Sequence, residues 1–402
     1  MWEDEFDNPE LRFPAAYRTF DEMLRHPQVN SAFASVILPI LRTTWRIDGT
    51  GCREEVVRHV AADMSLPIVG EGDVAYGSGY AEERFSWSEH LPAAVHGMFA
   101  HGHAYFEQKA EFDPIDGRWH LVKLGYRSPR TITAKVARDG GLISLEQDPS
   151  GATGIYTSGA RPISLPLRRV VVYTHDKVGT NWRGRSMLVP AYMDWRTDLL
   201  NRSQQRTLFE RHASPSPVYE AAESESSLEA GKKVATDYRS GQSSGAAIPA
   251  GAKLHLPGLE GSLPNLDQAL VRNSENIARA FRAHFLNLGT ATGTGSYALS
   301  NALQSFFTLT VQGNAEEVAR IGSRYVVRDI VDWNWGPAER APRLVFDEIG
   351  SRSDALIEAI AALVTAGVLQ PDEALEKYLR TTLGLPPAHG GAPNTPAQEV
   401  PA

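Results

Sequence analysis

Apolar residues recur every three or four positions at the start of the chain. Tyr17, Phe20 and Leu24 share one helix face, and Val29, Phe33, Val36, Ile37, Ile40 and Leu41 form a second stripe that opens after Pro27. Pro39 lies inside that stripe and is expected to kink or end it, because its ring clashes with the preceding turn and offers no N–H. Thr43 to Ile47 reads as a short strand, Glu54 to Met64 as a helix, and Ser88 as the N-cap of a helix reaching about Ala100.

From about Gly102 to Thr174 the period falls to two. Tyr105, Glu107, Lys109 and Glu111 alternate with Phe106, Gln108, Ala110 and Phe112. Asp113 to Gly117 is turn chemistry, Trp119 to Leu124 a return strand, and Arg138-Asp139-Gly140-Gly141 a second hairpin turn. Leu167 to Tyr173 is a β-branched run suited to a buried strand. The pattern predicts an antiparallel meander.

Helical spacing then returns. Ser186 to about Phe209 carries Leu188, Tyr192, Trp195, Leu199 and Leu200, and Ser214-Pro215-Ser216-Pro217 stops it. A short helix is expected near Ser227 to Tyr238, and a long one from Leu266 to Leu288. The next runs from Tyr297 to Trp333, with a break expected near Gly313, and a strand covers Arg343 to Phe346. Two final helices are expected at Asp354 to Thr365 and Pro371 to Leu383. The sequence predicts no packed structure for Pro386 to Ala402, which holds five prolines.

Composition narrows what this α+β chain does. Its 402 residues suffice for two to four domains of ~100–200 residues each. The net charge of −8 argues against a basic domain that grips phosphate. Of 40 basic residues only 8 are Lys, and Arg suits fixed ion pairs. The single cysteine, Cys52, excludes an intramolecular disulfide framework and a cysteine zinc cluster. The opening Met1-Trp2-Glu3-Asp4-Glu5 is acidic where a signal peptide is basic, and there is no run of 18 apolar residues to span a membrane.

Catalytic signals are sparse. His96, His101 and His103 cluster beside Glu107, and His101 and His103 are expected on the same side of a strand. This trio leaves open a soluble α+β metal-dependent enzyme, although no HExxH motif supports it. Gly289 to Ser296 has the composition of a phosphate loop but lacks its lysine and follows a helix, so a loop joining two helices fits better. Gly241-Gln242-Ser243-Ser244-Gly245 matches GxSxG without the strand that a nucleophile elbow needs. Neither a nucleotide nor any other cofactor is expected.

Interaction signals are stronger. Arg320, Arg324 and Arg328 recur at four-residue spacing, and Arg272, Arg279 and Arg282 form a similar row. Each row fits a solvated helix face or a contact where guanidinium forks meet a neighbour's carboxylates.

Several segments, in order, resemble the portal proteins of tailed bacteriophages, particularly the Mu-like group. Ile40-Leu41-Arg42-Thr43-Thr44-Trp45-Arg46-Ile47 resembles that group's opening. Gly184-Arg185-Ser186-Met187-Leu188 with Ala191-Tyr192 and Trp195 resembles the start of its long helix. Ala246-Ala247-Ile248-Pro249-Ala250-Gly251, Asn276 to Phe281, Gly295-Ser296-Tyr297-Ala298-Leu299, and Asp329 to Gly336 with Ala341 to Leu344 resemble later segments. The shared order spans roughly residues 20–380, whereas residues 49–83 and 221–245 depart from it.

The resemblance implies a ring, usually of twelve subunits, at one capsid vertex of the virion, assembled in the host cytoplasm and without catalysis of its own. Residues 1–185 would form the wing and β-rich core, 186–212 and 263–288 two stem helices, and 213–262 a clip. Residues 289–300 would be the channel loop, 301–350 a long helix returning to the wing, 351–385 a helical crown and 386–402 a tail. Thr290, Thr292, Gly293, Thr294, Gly295 and Ser296 would face double-stranded DNA passing without sequence specificity. The six arginines would serve stem or subunit contacts. Ser214, Ser216, Tyr219, Lys232 and Lys233 would meet the terminase large subunit and the head-to-tail adaptor. Major capsid and scaffolding proteins would be further partners, and no membrane is involved.

Overall fold

The computed structural model describes residues 8–72, 85–148, 162–213, 218–221, 228–237, 247–248, 250–255, 265–283 and 297–350. The first apolar stripe becomes α1 (Ala15–Leu24) and the second α2 (Pro27–Arg42), with Val29, Ala32, Phe33, Val36 and Ile40 buried. Pro39 does not end α2. The last turn is held from outside: Ile40 is fully buried, and the indole N–H of Trp45 donates to the Ile40 carbonyl at 3.1 Å. Packing thus overrides the local penalty.

Strand β1 (Trp45–Asp48) pairs antiparallel with β10 (Arg343–Phe346), Trp45 opposite Phe346, so an early and a late segment of the chain close on one another. Arg46 clamps Asp347 beside this pair through Nε–Oδ1 at 2.8 Å and Nη2–Oδ2 at 3.0 Å, a two-pronged charge-assisted bond. Helix α3 (Glu54–Met64) has the predicted limits, and α4 (Trp87–His101) begins after Ser86 rather than Ser88.

Gly102 turns α4 into strand β2 (His103–Asp113) with φ 87°, and a Cβ there would lie 2.7 Å from the Arg183 carbonyl oxygen. Hence His101 ends a helix and His103 starts a strand. They do not share a strand face as expected. Strands β2, β3 (Arg118–Arg127) and β7 (Val170–Thr174) form one antiparallel sheet in the order β3-β2-β7. Strands β4 (Ile132–Val136), β5 (Leu142–Gln147) and β6 (Ile163–Leu165) form another in that order. Period-two alternation divides the work. Ala104, Phe106, Val171 and Tyr173 join the helical core, while Tyr105, Val170 and Val172 pack with Ile132, Leu145 and Leu165 of the second sheet.

Helix α5 (Tyr192–Ala213) starts six residues later than the sequence predicts, because Val189–Ala191, with Pro190, winds a tighter turn first. It runs antiparallel to α7 (Leu266–Ala280), with Asn276 donating to Asp194 at 2.9 Å and Gln205 to Asp267 at 2.6 Å. Between them in sequence lie the pair β8 (Val218–Glu220) and β9 (Lys253–His255) and helix α6 (Glu229–Asp237). Helix α7 stops early because Arg282 takes φ 58°, and residues 284–288 of the expected helix lie outside the described residues. So do both expected helices within 351–385, the tail 386–402 and the GxSxG match.

Helix α8 (Tyr297–Ile321) runs through Gly313 without the expected break. The irregularity comes later, in a π-helical segment Gly322–Val327 that leads into α9 (Arg328–Trp335). Its cause is crowding. A Cβ on Gly322 would sit 2.6 Å from Leu344 and 2.9 Å from Trp87, both buried. The wider π turn and a bare glycine let this helix seat directly on α4 and β10. Gly322→Val is expected to cost about 1–3 kcal/mol by overpacking. Urea denaturation checks this, and an unchanged midpoint would contradict it.

Candidate subunit-contact surfaces

Helix α5 is anchored at its first half. Tyr192 and Trp195 are buried, and the Asp198 side chain has no exposure. Asp198 Oδ2 lies 2.9 Å from His26 Nε2 and 2.5 Å from the Nε of Arg202, which donates to it. This carboxylate ties α5 to the start of α2 through Oδ2.

Other apolar positions of the helix stay open, within the anchored half and beyond it. Met193 is 67% exposed, Leu200 57% and Phe209 60%, and Leu199 is exposed too. At 100° per residue Met193 and Leu200 share one side of the helix and Leu199 and Phe209 another, whereas Asp194 and Gln205, which bond to α7, lie between these two sides. Helix α8 repeats the situation. Phe307 and Val311 are buried, whereas Phe306 and Leu309 are exposed.

The arginine rows come apart in three dimensions. Arg320 is exposed 3.7 Å from Glu317, and Arg324 is exposed with its guanidinium 5.4 Å from the Tyr325 ring centre. Past the π segment, Arg328 turns into the following loop, donating to the Glu339 carbonyl at 2.9 Å and the Pro337 carbonyl at 2.6 Å. Arg272, Arg279 and Arg282 are all exposed. Arg279 donates to Asn276 at 2.8 Å, and Arg282 reaches Thr310 of α8 at 3.2 Å. The outward-facing cations are therefore Arg272, Arg279, Arg282, Arg320 and Arg324, while Arg328 is spent within the chain.

Lys232 and Lys233 are exposed on α6, and Tyr219 of β8 packs over Gly231, where a Cβ would meet its ring at 2.0 Å. Ser214, Ser216 and the loop Thr290, Thr292, Gly293, Thr294, Gly295 and Ser296 lie outside the described residues.

The three histidines of the metal-enzyme reading are built into structure. His103 is buried, with Nδ1 donating to the Arg183 carbonyl at 2.8 Å and Nε2 receiving the Tyr17 hydroxyl at 2.7 Å. Burial depresses its pKa to about 3 and pushes the Tyr17 hydroxyl up. His101 faces Asp21 at 3.2 Å, and His96 stacks edge-on against Phe33. Among the described residues these three do not converge on one point, and both nitrogens of His103 are engaged.

The arrangement is that of a helical and β-rich base from which a pair of long, incompletely covered helices extends. A sequence model for the portal protein of Mu bacteriophage matches residues 17–385. The chain belongs to this portal family. The fold is similar to a chain in the virion of a native gene transfer agent particle, at 13% identity and TM-score 0.58 over 92% of this chain and 94% of that one. It is also similar to a chain in the neck of an empty gene transfer agent particle computed with C6 symmetry, at 15% identity and TM-score 0.59 over 92% and 95%. A third match, at 14% identity and TM-score 0.55 over 92% and 94%, is in the neck of the native particle computed with C12 symmetry. No curated protein matches the chain in sequence. No described helix of this portal protein is long and apolar enough to cross a membrane.

Sequence reasoning missed the His26–Asp198 anchor, whose partners stand 172 positions apart with no local motif. It also passed over His59, Asp63 and His120, where the four-residue spacing of the first two was the available signal.

The buried histidines make stability depend on pH. His90 and His103 stay neutral in the fold, each with its pKa lowered by burial to about 3. The unfolded chain takes up these protons below about pH 6.5, so each histidine lowers stability by about 1.4 kcal/mol per pH unit as pH falls from there toward 3. Asp329, raised by burial to about 6, acts the other way. The contribution of one histidine is therefore read by difference. His103→Gln is expected to flatten the stability slope between about pH 6 and pH 4 by one proton. An unchanged slope in urea titrations would contradict the assignment.

Proposed function

We propose that this portal protein is the subunit of a closed ring at one capsid vertex of a tailed phage or phage-like particle. The ring conducts double-stranded DNA during packaging and ejection. The observation that carries the reading is the apolar surface left open on α5 and α8: Met193, Leu199, Leu200, Phe209, Phe306 and Leu309. Apolar residues around a long helix are stable in water when a neighbour covers them, and a head-to-tail contact that repeats and closes supplies one on each side. The C6 and C12 symmetries of the gene transfer agent necks support a ring, and twelve subunits is the number taken here.

In this ring, residues 1–185 and 301–350 form the wing and core, α5 and α7 the stem, and 213–262 the clip. Lys232, Lys233 and Tyr219, with Ser214 and Ser216, meet the terminase large subunit and later the head-to-tail adaptor. The stretch 351–385 forms the crown inside the capsid, where major capsid and scaffolding proteins surround the assembling ring. Assembly takes place in the host cytoplasm and the finished ring stays in the virion. The protein performs no catalysis, and ATP hydrolysis belongs to the terminase.

The exposed arginines, Arg272, Arg279, Arg282, Arg320 and Arg324, serve neighbouring subunits in this scheme. A conduit has to pass any DNA sequence without holding it, and each phosphate neutralised by a cation adds affinity. A net charge of −8 per chain and a hydroxyl- and glycine-rich loop at 289–300 suit passage better than grip.

Leu200→Glu combined with Phe209→Glu is expected to leave the circular dichroism of the chain unchanged while abolishing rings in light scattering. Rings of normal mass would remove the stem from the interface. Replacing Gly293 and Gly295 by tryptophan is expected to leave rings intact and reduce the DNA packaged or retained per particle. Normal DNA content would sink the role of that loop.

A further inference from the structure

Away from the open helices, three side chains of metal-ligand type converge where α3 meets the β2–β3 hairpin. His59 and Asp63 lie one turn apart on α3, and His120 comes from β3. Ligand atoms of the three lie within 4.8 Å of one another. His120 Nδ1 is 2.6 Å from Asp63 Oδ1, and His59 Nε2 is 3.8 Å from Asp63 Oδ2. Their side chains are only 8%, 2% and 12% exposed, in the order His59, Asp63, His120. We infer that His59, Asp63 and His120 bind one divalent transition-metal ion of the zinc class, which clasps α3 to the hairpin.

The chemistry of the set selects the ion. Two imidazoles and one carboxylate suit zinc and its first-row neighbours, whereas calcium and magnesium prefer oxygen ligands throughout. Three protein ligands leave a fourth position for water.

The surroundings hold the ligands as an outer shell does. Asp116 Oδ2 lies 2.8 Å from His120 Nε2, so the far nitrogen of that ring is held by a carboxylate and Nδ1 faces the centre. The Leu121 N–H donates to Asp63 Oδ2 at 2.9 Å. The Asn334 amide, 3.1 Å from His59 Nε2, is fixed by donating to the carbonyls of Trp119 at 2.9 Å and Ile330 at 3.0 Å. His59 Nε2 also lies 3.2 Å from the Trp119 carbonyl, which accepts its N–H, so an ion bound at this nitrogen takes the place of that proton. A single proton bridges His120 and Asp63 at their present 2.6 Å. An ion that takes its place needs those two atoms to move apart to about 3.3 Å, the ligand spacing around a tetrahedral zinc. One 2+ ion between Asp63 and Asp116 leaves the cluster neutral.

The test uses the full chain, stripped with a chelator and titrated with Zn2+ by calorimetry and with Co2+ by visible absorption. The expected result is one ion per chain, a Co2+ spectrum of low coordination number, and a rise in thermal midpoint with Zn2+. His59→Gln and His120→Gln are each expected to abolish binding, and Asp116→Asn to weaken it by about 10–100-fold. His101→Gln, a control elsewhere, is expected to leave it unchanged. Should a glutamine variant fail to fold by circular dichroism, wild-type stoichiometry and the Asp116→Asn shift decide. Less than one ion per wild-type chain, or equal affinity in the folded glutamine variants, would overturn the proposal.

Discussion

Helix α5 carries apolar side chains around its circumference, and one chain covers only part of it. That imbalance organises the rest of the molecule. At its start the helix is held by what a single chain supplies: Tyr192 and Trp195 in the core, and Asp198 locked by His26 and Arg202. Farther along, Leu199, Leu200 and Phe209 stay open even though α7 lies alongside. Hydrophobic burial scales with area removed from water, so surface left open on a rigid helix is a standing drive toward association.

The base is built to bear such a contact. Strands β1 and β10 join an early and a late segment of the chain, and Arg46 fastens Asp347 beside them. Gly322 lets the π segment sit directly on Trp87 and Leu344. Sheet β3-β2-β7 is covered on one face by helices and on the other by β4-β5-β6. These contacts join segments far apart in the sequence, so the helix pair is anchored in a packed body rather than in loops. The incompletely covered surface therefore belongs to elements able to transmit force and hold an angle.

Local periodicity revealed most of this architecture. Helix α3 and strand β10 have the limits read from the sequence, and the β2–β3 and β4–β5–β6 antiparallel pairings follow from period-two alternation and its turns, whereas β7 returns to pair with β2 and divides the expected meander into two sheets. The departures share a cause: each depends on a distant partner. Pro39 stays helical because Trp45 caps Ile40, and α8 deforms at Gly322 rather than Gly313 because Trp87 and Leu344 press there. The arginine row expected at Arg320, Arg324 and Arg328 loses its last member to the loop at 337–339 for the same reason. Leu199 and Leu200 belong to the predicted helix, and apolar spacing alone does not say which of its residues one chain covers. The Mu-like motifs identified the family, since their order survives where no single one carries chemistry.

The central claim is that the open surface of α5 and α8 is the boundary between identical subunits. Cryo-electron microscopy of the purified, assembled protein at side-chain resolution tests it most directly. The account predicts a closed ring in which Leu200 and Phe209 of one subunit and Phe306 and Leu309 of α8 are buried against neighbours. A chain that stays monomeric, or a ring in which these side chains face solvent or the channel, would contradict it.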